Sequence, residues 1–548
     1  MTEPLNAPTE PRSRVPDRVF LLAMLLGVGG RFAHFLSGRS LWLDEAMIAL
    51  NIDQRSFSEL SAALDFNQAA PLGFLWLEKL AVLPFGTSEL ALRFWPFVAG
   101  LAALAVFAVL ARRLLSPGAA VFAFTLFALS TSLTYYSAEV KQYSFDVLLA
   151  CLLPLLGLMA DEDDRSAAWI ALALAGALGV WFSHPLVFVL PGVVLFLSLT
   201  PVDLAIDPAV APTEERRVFS GFALRGDRLR RLAAVGALWG VSFAVAYWLT
   251  ARDVSRSPLM ARFWVEGFMP LPPTSVADLG WYAHAFTGWI RGVFDFTETD
   301  SPLRTAAFWI GGVVAMAGGV VAWGRDRRRY VLVAMPVLLA LLAAAIRLYP
   351  FKGRLILFLV PATIVLIAWG LEAAVSSRPV AGGTPADAPP GPARAVARLG
   401  GFAAGTLLVV CSSVILAQWL AQPGREELRP VLQHVVANAE PGDVIYLHSG
   451  AQHAYLFYER TCESCRVEPG SIVRGGFLSG QDEAIARDLS QLPRTGRVWL
   501  VFAHEWWGYG RIERDRMIAA LETRSPGGSA EVVEETGAAA ILFDLGTP

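Results

Sequence analysis

Apolar runs near twenty residues long recur along the first 420 positions, at 18–38, 91–111, 118–136, 143–160, 167–182, 185–200, 232–251, 304–323, 330–347, 355–373 and 399–420. A helix rises about 1.5 Å per residue, so a run of this length matches a hydrocarbon core of roughly 30 Å. The eleven runs predict an all-α polytopic membrane domain over 18–420. Composition agrees, because 55% of the chain is hydrophobic and 17% charged, whereas soluble domains carry about a quarter charged residues. A net charge of −3 gives no sign of a nucleic-acid partner. The arginine clusters lie between apolar runs and orient helices instead.

With the N-terminus inside, the cytoplasmic side receives Arg112, Arg113, the 216–231 stretch, Arg325 through Arg329, and a Pro/Gly/Ala linker at 374–398. Lys and Arg favour that side of a membrane. Residues 1–17 read as a disordered cytoplasmic N-terminus. The first run follows Arg12, Arg14 and Arg18 like a signal peptide, but it carries Arg31 and lacks a small-x-small cleavage site. It is expected to stay as an anchor in the plasma (inner) membrane.

The apolar stretch 71–83 is too short to span and contains Glu78 and Lys79. Counting it as a span would reverse every later loop against the charge rule, so it reads as an interfacial helix. The first external loop then covers 38–90, with short helices expected at 44–51, at 58–65 after the capping box Ser56 to Glu59, and at 71–83. An odd number of spans also places 421–548 outside. There, strands at 444–449, 497–504 and 539–545 alternate with helices at 426–439, through Tyr458, at 482–489 and at 513–523, which predicts a small extracytoplasmic α/β domain. Cys151 and Cys411 sit inside apolar runs as packing residues. Cys462 and Cys465 form a lone C-x-x-C, read as a local disulfide in an oxidising compartment ahead of a zinc site.

Three places carry candidate chemistry. Asp44 and Glu45 stand side by side just past the first run, where desolvation raises a carboxylate's basicity and suits a general base. They serve equally as a helix cap and a dipole partner. The outer junction TYYSAEVKQYSFD brings Tyr135, Tyr136, Glu139, Lys141, Gln142, Tyr143 and Asp146 to the mouth of an apolar helix, a density that faces a cavity more often than lipid. The external loop RLYPFKGR holds Arg347, Lys352 and Arg354 against the positive-inside trend, as a phosphate headgroup would require, or as anchors that snorkel to the interface. His184 and Pro185 read as a turn. Arg262, Trp264 and Glu266 read either as substrate contacts or as loop surface, and His448, His453, Tyr455, Trp506, Trp507 and Tyr509 either as glycan contacts or as core.

These elements resemble a known family. The Asp-Glu pair, the stretch NQAAPLGFLWLEKL at 67–80 and YYSAEVKQYSFD at 135–146, in that order, look like an integral-membrane glycosyltransferase of the GT-C type. The likeness is to its bacterial dolichyl-phosphate-mannose-mannosyltransferase-like and RgtA/B/C/D-like branch, family 39-like, and spans about 18–373. Where the family often has two prolines, this chain has Ala70-Pro71. The resemblance implies attack by an acceptor hydroxyl on a polyprenyl-phosphate sugar, with inversion, at the outer face. Asp44 would be the base, with Glu45 as helper or alternative. Arg347, Lys352 and Arg354, with Lys141, would stabilise the leaving phosphate, and Tyr136, Glu139 and Tyr143 would bind substrate. The acceptor would be an envelope glycan, lipid or protein. No cofactor is required, although some relatives use a divalent metal. The competing readings are a transporter or lipid flippase, which usually shows internal repeats absent here, and a non-catalytic envelope assembly protein.

Overall fold

The computed structural model describes residues 15–162, 166–199, 226–251, 258–294, 302–376, 392–421, 424–467, 472–478, 480–505, 510–525 and 528–546. Of the expected disordered N-terminus 1–17, residues 1–14 lie outside them, as do most of the 374–398 linker, the arginines of 216–225, and Trp506, Trp507 and Tyr509; Val15 to Asp17 instead form the first turn of a helix.

Each of the eleven expected runs lies on a helix. Among the described residues, eight helices are long and apolar enough to cross a membrane, and three shorter apolar ones stand at 117–129, 166–179 and 186–198. In chain order the helices are α1 (Val15–Leu36), α2 (Leu43–Gln54), α3 (Leu72–Phe85), α4 (Glu89–Leu114), α5 (Pro117–Leu129), α6 (Thr131–Tyr136), α7 (Tyr143–Glu162), α8 (Ser166–Gly179), α9 (Leu186–Ser198), α10 (Gly226–Ala246), α11 (Pro258–Phe263), α12 (Val276–Phe294), α13 (Pro302–Arg325), α14 (Arg327–Ala345), α15 (Val360–Val375) and α16 (Pro392–Ala421). The expected span 118–136 is broken at Ser130, whose hydroxyl accepts from the amide of Leu133 and starts α6 anew. The bundle is a multi-pass membrane domain. Lipid gives no hydrophobic drive for helices to associate, so they approach through small residues. At the α13–α15 crossing, a Cβ added to Gly318 would lie 1.9 Å from the carbonyl oxygen of Leu366.

The two ends of the bundle differ in charge. At one end Arg113 pairs with Glu162, and Arg228 and Arg328 both reach Asp161. The other end carries the first loop. There α2 and α3 form as expected, but 58–65 does not make a helix: the capping-box bonds of Ser56 and Glu59 are present, yet they start only the single turn Glu59–Ser61. A nucleus without further propagation is unfavourable on its own. Two helices were not expected, the short α11 and the amphipathic α12, which buries Trp289, Ile290, Val293 and Phe294.

The C-terminal domain adds α17 (Leu428–Asn438), α18 (Gln452–Thr461), α19 (Asp482–Ser490) and α20 (Gly510–Glu522) to a five-stranded sheet. Its strands are β1 (Val444–Leu447), β2 (Ile472–Arg474), β3 (Arg497–Ala503), β4 (Ser529–Glu535) and β5 (Ala538–Asp544), in the order β2-β1-β3-β5-β4. β1 is parallel to β2 and β3, whereas β5 runs antiparallel to β3 and β4. β3, the run VWLVFA, is buried from Val498 onward, as a central strand covered on both faces must be. β2 and β4 were not expected, since β2 has three residues and β4 is mostly exposed. Cys462 and Cys465 form the disulfide, and Cys151 and Cys411 are free and buried.

The domain is not an appendage on a stalk. Leu41, Ala46, Ile48 and Leu50 of the first loop share one apolar core with Leu428, Val431, Tyr455 and Trp499 of the tail. Polar bonds close the seam: Leu41 N donates to the Tyr458 hydroxyl at 2.7 Å, and Arg429 reaches Glu89 at 2.6 Å and the Gly38 carbonyl at 2.7 Å.

Candidate active site

Trp42 is the N-cap of α2, which puts Asp44 and Glu45 in its first turn on different sides. Neither is the cap. Glu45 turns inward and is fully buried. Its carboxylate accepts two bonds from Arg93, at 2.9 and 2.7 Å, one from the amide of Val140 at 2.9 Å and one from that of Trp42 at 3.4 Å, with Arg39 3.6 Å away. Burial opposes its ionisation, but Arg93 and Arg39 prevail and hold it below the ordinary carboxylate range. Glu45, expected as helper or alternative base, thus has both oxygens engaged, and it ties the first loop to the junction 137–142.

Asp44 points the other way and pairs with Arg354, each side chain keeping just under one fifth of its surface open. Burial again works against its charge. The positive charges of Arg354, Lys141, His504 and Arg425 outweigh it, so the carboxyl is held below its usual range. Lys141 donates to Gln68 at 2.7 Å. Glu139 stands close by, wholly buried; one oxygen accepts from the indole N–H of Trp42 at 3.2 Å, and the other has no hydrogen-bond partner. Burial, followed by the charge of Glu45, pushes the Glu139 carboxyl up to about 7. Two carboxyls in one site thereby have acidities driven apart, the arrangement that separates an acid from a base. Tyr136 and Tyr143 pack edge to face, 5.0 Å between ring centres, and complete the wall.

The structure divides the cation loop that sequence treated as a unit. Arg354 reaches Asp44, but Lys352 pairs with Glu266, and Arg347 lies exposed at the end of α14 with a left-handed backbone, φ 58°. Phe351, buried between them, and Gly353 at φ 54° turn the chain so that the three side chains diverge. Of the next loop, Trp264 lies under the Arg354 guanidinium at 5.8 Å, whereas Arg262 is exposed. His184 sits in a turn, as expected. In the tail, Tyr455 is core, His448 is buried against Glu513 at 2.8 Å, and His453 packs on Phe66.

Sequence reasoning missed the hub of the site. The indole of Trp42 is 2% exposed and meets Glu139 through its N–H, Arg425 at 4.0 Å, Arg354 at 5.1 Å and the ring of His504 at 6.2 Å. Arg93 had a readable signal, being a cation one turn inside an apolar run, and buried membrane charges seek partners. Arg425 and His504 had none. Among the described residues, no three of His, Cys, Asp and Glu gather as a metal site.

Residues 69–206 match the sequence profile of the dolichyl-phosphate-mannose-protein mannosyltransferases. That stretch contains Tyr136, Glu139, Lys141 and Tyr143, but neither Asp44 nor Arg354. No curated protein matches the chain. Among solved structures, ArnT from Cupriavidus metallidurans in the apo state aligns over 97% of this chain and 98% of its own, at 14% identity and TM-score 0.49. The same protein bound to undecaprenyl phosphate aligns over 98% and 100%, at 14% identity and TM-score 0.47. The Archaeoglobus fulgidus oligosaccharyltransferase tethered with an acceptor peptide aligns over 90% and 70%, at 13% identity and TM-score 0.46. The chain thus shares the mannosyltransferase profile over 69–206, a stretch that includes the Glu139 junction, and the likeness to membrane glycosyltransferases drawn from its loop motifs rests there.

Proposed function

We propose that the chain is a glycosyltransferase of the plasma (inner) membrane, moving a sugar from a polyprenyl-phosphate donor to an envelope acceptor at the outer face. The observation that carries this reading is Asp44, a partly open carboxylate at one end of the bundle, facing Arg354, Lys141, Arg425 and His504. A lone carboxylate needs no such surplus of positive charge, but a carboxylate working beside a phosphate does. The opposite, arginine-rich end sits in the cytoplasm under the positive-inside rule, which leaves the site and the α/β domain outside. Nucleotide sugars are absent there, and a flipped lipid carrier is the available donor.

The chemistry follows from the contacts. An acceptor hydroxyl attacks the anomeric carbon from the face opposite the phosphate. The new C–O bond forms as the bond to phosphate oxygen breaks, the electron pair leaves with the polyprenyl phosphate, and the configuration inverts. The hydroxyl proton passes to Asp44. In the free enzyme Arg354 holds Asp44 and weakens it as a base. An incoming phosphate competes for the same guanidinium, to which it binds as a bidentate partner, and so releases Asp44 only when donor is present. Glu139 and Tyr136 then position donor sugar or acceptor, with Tyr143 beside them. The cations already present supply the charge the leaving group needs, so no metal ion is required.

The test is transfer of labelled sugar from a mixed pool of polyprenyl-phosphate sugars in membranes holding wild type or Asp44→Asn at equal levels. Transfer by wild type and its loss in a well-folded variant support the reading. Membranes rich in wild type that transfer nothing from any donor overturn it in favour of a transport or assembly role.

A further inference from the structure

The scheme above leaves the α/β domain without a task, yet that domain aims its central strand at Asp44. In open α/β sheets, ligands gather beyond the carboxyl ends of the parallel strands. Here the carboxyl end of β3 leads directly into His504, and what stands against it is the start of α2. His504 has a left-handed backbone, φ 63°, a conformation that non-glycine residues rarely adopt. That turn lays its ring nearly parallel to the indole of Trp42, at 6.2 Å and 17°. Its Nδ1 lies 2.6 Å from Glu426 Oε1. The other oxygen of Glu426, a residue only 2% exposed, accepts from the amide of Leu43 at 3.0 Å, one residue before Asp44. Arg425, next in the chain, covers Trp42 at 4.0 Å and donates to the Tyr135 hydroxyl at 3.2 Å. Two of the four cations whose charge Asp44 feels therefore come from the tail.

We propose that His504 is a positioning residue of the transfer site: acting through Glu426 and Trp42, the α/β domain fixes the first turn of α2 and adds a cation beside the base. The inference rests on the proposed function and assigns the domain its part in it. Burial opposes the imidazolium, and Arg425 does too. Glu426, by charge and hydrogen bond, and Asp44 outweigh them and raise His504 above its ordinary value. The sign is then fixed: the cation is present at low pH and is lost as pH climbs through that raised value. Arg354 and Lys141 are the other two cations whose charge Asp44 feels.

The experiment compares purified full-length wild type, His504→Asn, Glu426→Gln and a control, His448→Asn, which disturbs the same domain at its bond to Glu513 and leaves Glu426 and Trp42 untouched. Asparagine tolerates the left-handed backbone and lacks the charge. Misplacement of a reacting group by about 1 Å reduces rate on the order of a hundredfold. His504→Asn and Glu426→Gln should accordingly lower kcat roughly tenfold to a hundredfold with donor KM nearly unchanged, and His504→Asn should lose an alkaline limb that wild-type kcat shows. Purely structural docking would lower Tm in all three variants and leave the shape of the kcat profile intact. A His504→Asn protein that keeps wild-type kcat, keeps the alkaline limb, or loses no more activity than His448→Asn overturns the inference and spares the proposed function. Wild type inactive with every donor overturns both.

Discussion

The adjacent carboxylates should fail in opposite ways, and Glu45→Gln is the sharper case. Glu45 has no exposed surface and satisfies Arg93 twice, the amides of Val140 and Trp42, and the charge of Arg39. Glutamine keeps the shape but sets an N–H₂ against a donor and leaves two buried guanidiniums without a counterion. Removing one partner of a buried pair costs about 3–5 kcal/mol, which is roughly a hundredfold to several thousandfold in the folded-to-unfolded ratio. In Asp44→Asn the lost pair is about four-fifths buried, so the cost falls between the roughly 1 kcal/mol of an exposed pair and the about 3–5 kcal/mol of a fully buried one, while loss of a general base lowers rate by about 10²–10⁴-fold. Thermal unfolding in detergent, run beside the transfer assay, separates the two. Glu45→Gln should show a markedly lower Tm with its residual folded fraction active; Asp44→Asn should show a smaller fall in Tm and a folded protein that has lost transfer. A Glu45→Gln protein of wild-type Tm that has lost transfer would refute the reasoning and move the base to Glu45. Glu45 also links stability to pH: its carboxyl is held below its ordinary value, so its contribution is full above that value and vanishes as pH falls through the lowered one. The acid-induced fall in Tm should be shallower in the variant.

Further outcomes follow from the same geometry. Asp44 must be ionised to accept a proton and is held below the usual carboxylate range, so kcat/KM should stay high at pH 5 and fall only as pH drops through the lowered value. A midpoint near neutrality would assign that limb to another group. Glu139, pushed up to about 7 and with one oxygen unpartnered, should tolerate Glu139→Gln within about fivefold, because the amide keeps a donor and an acceptor, whereas Glu139→Ala should lose most transfer; equal loss in both would make ionised Glu139 essential. Arg354→Ala should abolish transfer and Arg354→Lys restore part of it, since an ammonium matches the charge but not the fork. Arg347→Ala and Lys352→Ala, by contrast, should stay near wild type in donor KM. Transfer should survive EDTA, and its loss with recovery on adding a divalent ion would place a metal in the site.

What could be read along the chain was whatever depends on neighbours in sequence. The eleven apolar runs, the short helix α3, the alternating tail and the disulfide all follow from local length, periodicity or spacing, and each was visible before any folding. Asp44 and Glu45 could be picked out but not told apart, because adjacent helical positions diverge only once the helix has a partner on each side. Arg347, Lys352 and Arg354 looked equivalent until a buried phenylalanine and a left-handed glycine sent them three ways. Tertiary structure alone decided the rest. Arg93 meets Glu45 across 48 positions and Arg354 meets Asp44 across 310. His504 reaches Trp42 only because the tail and the first loop bury one common apolar core. Such contacts are set by how surfaces pack, and no pattern within a single segment records which distant charge will face it.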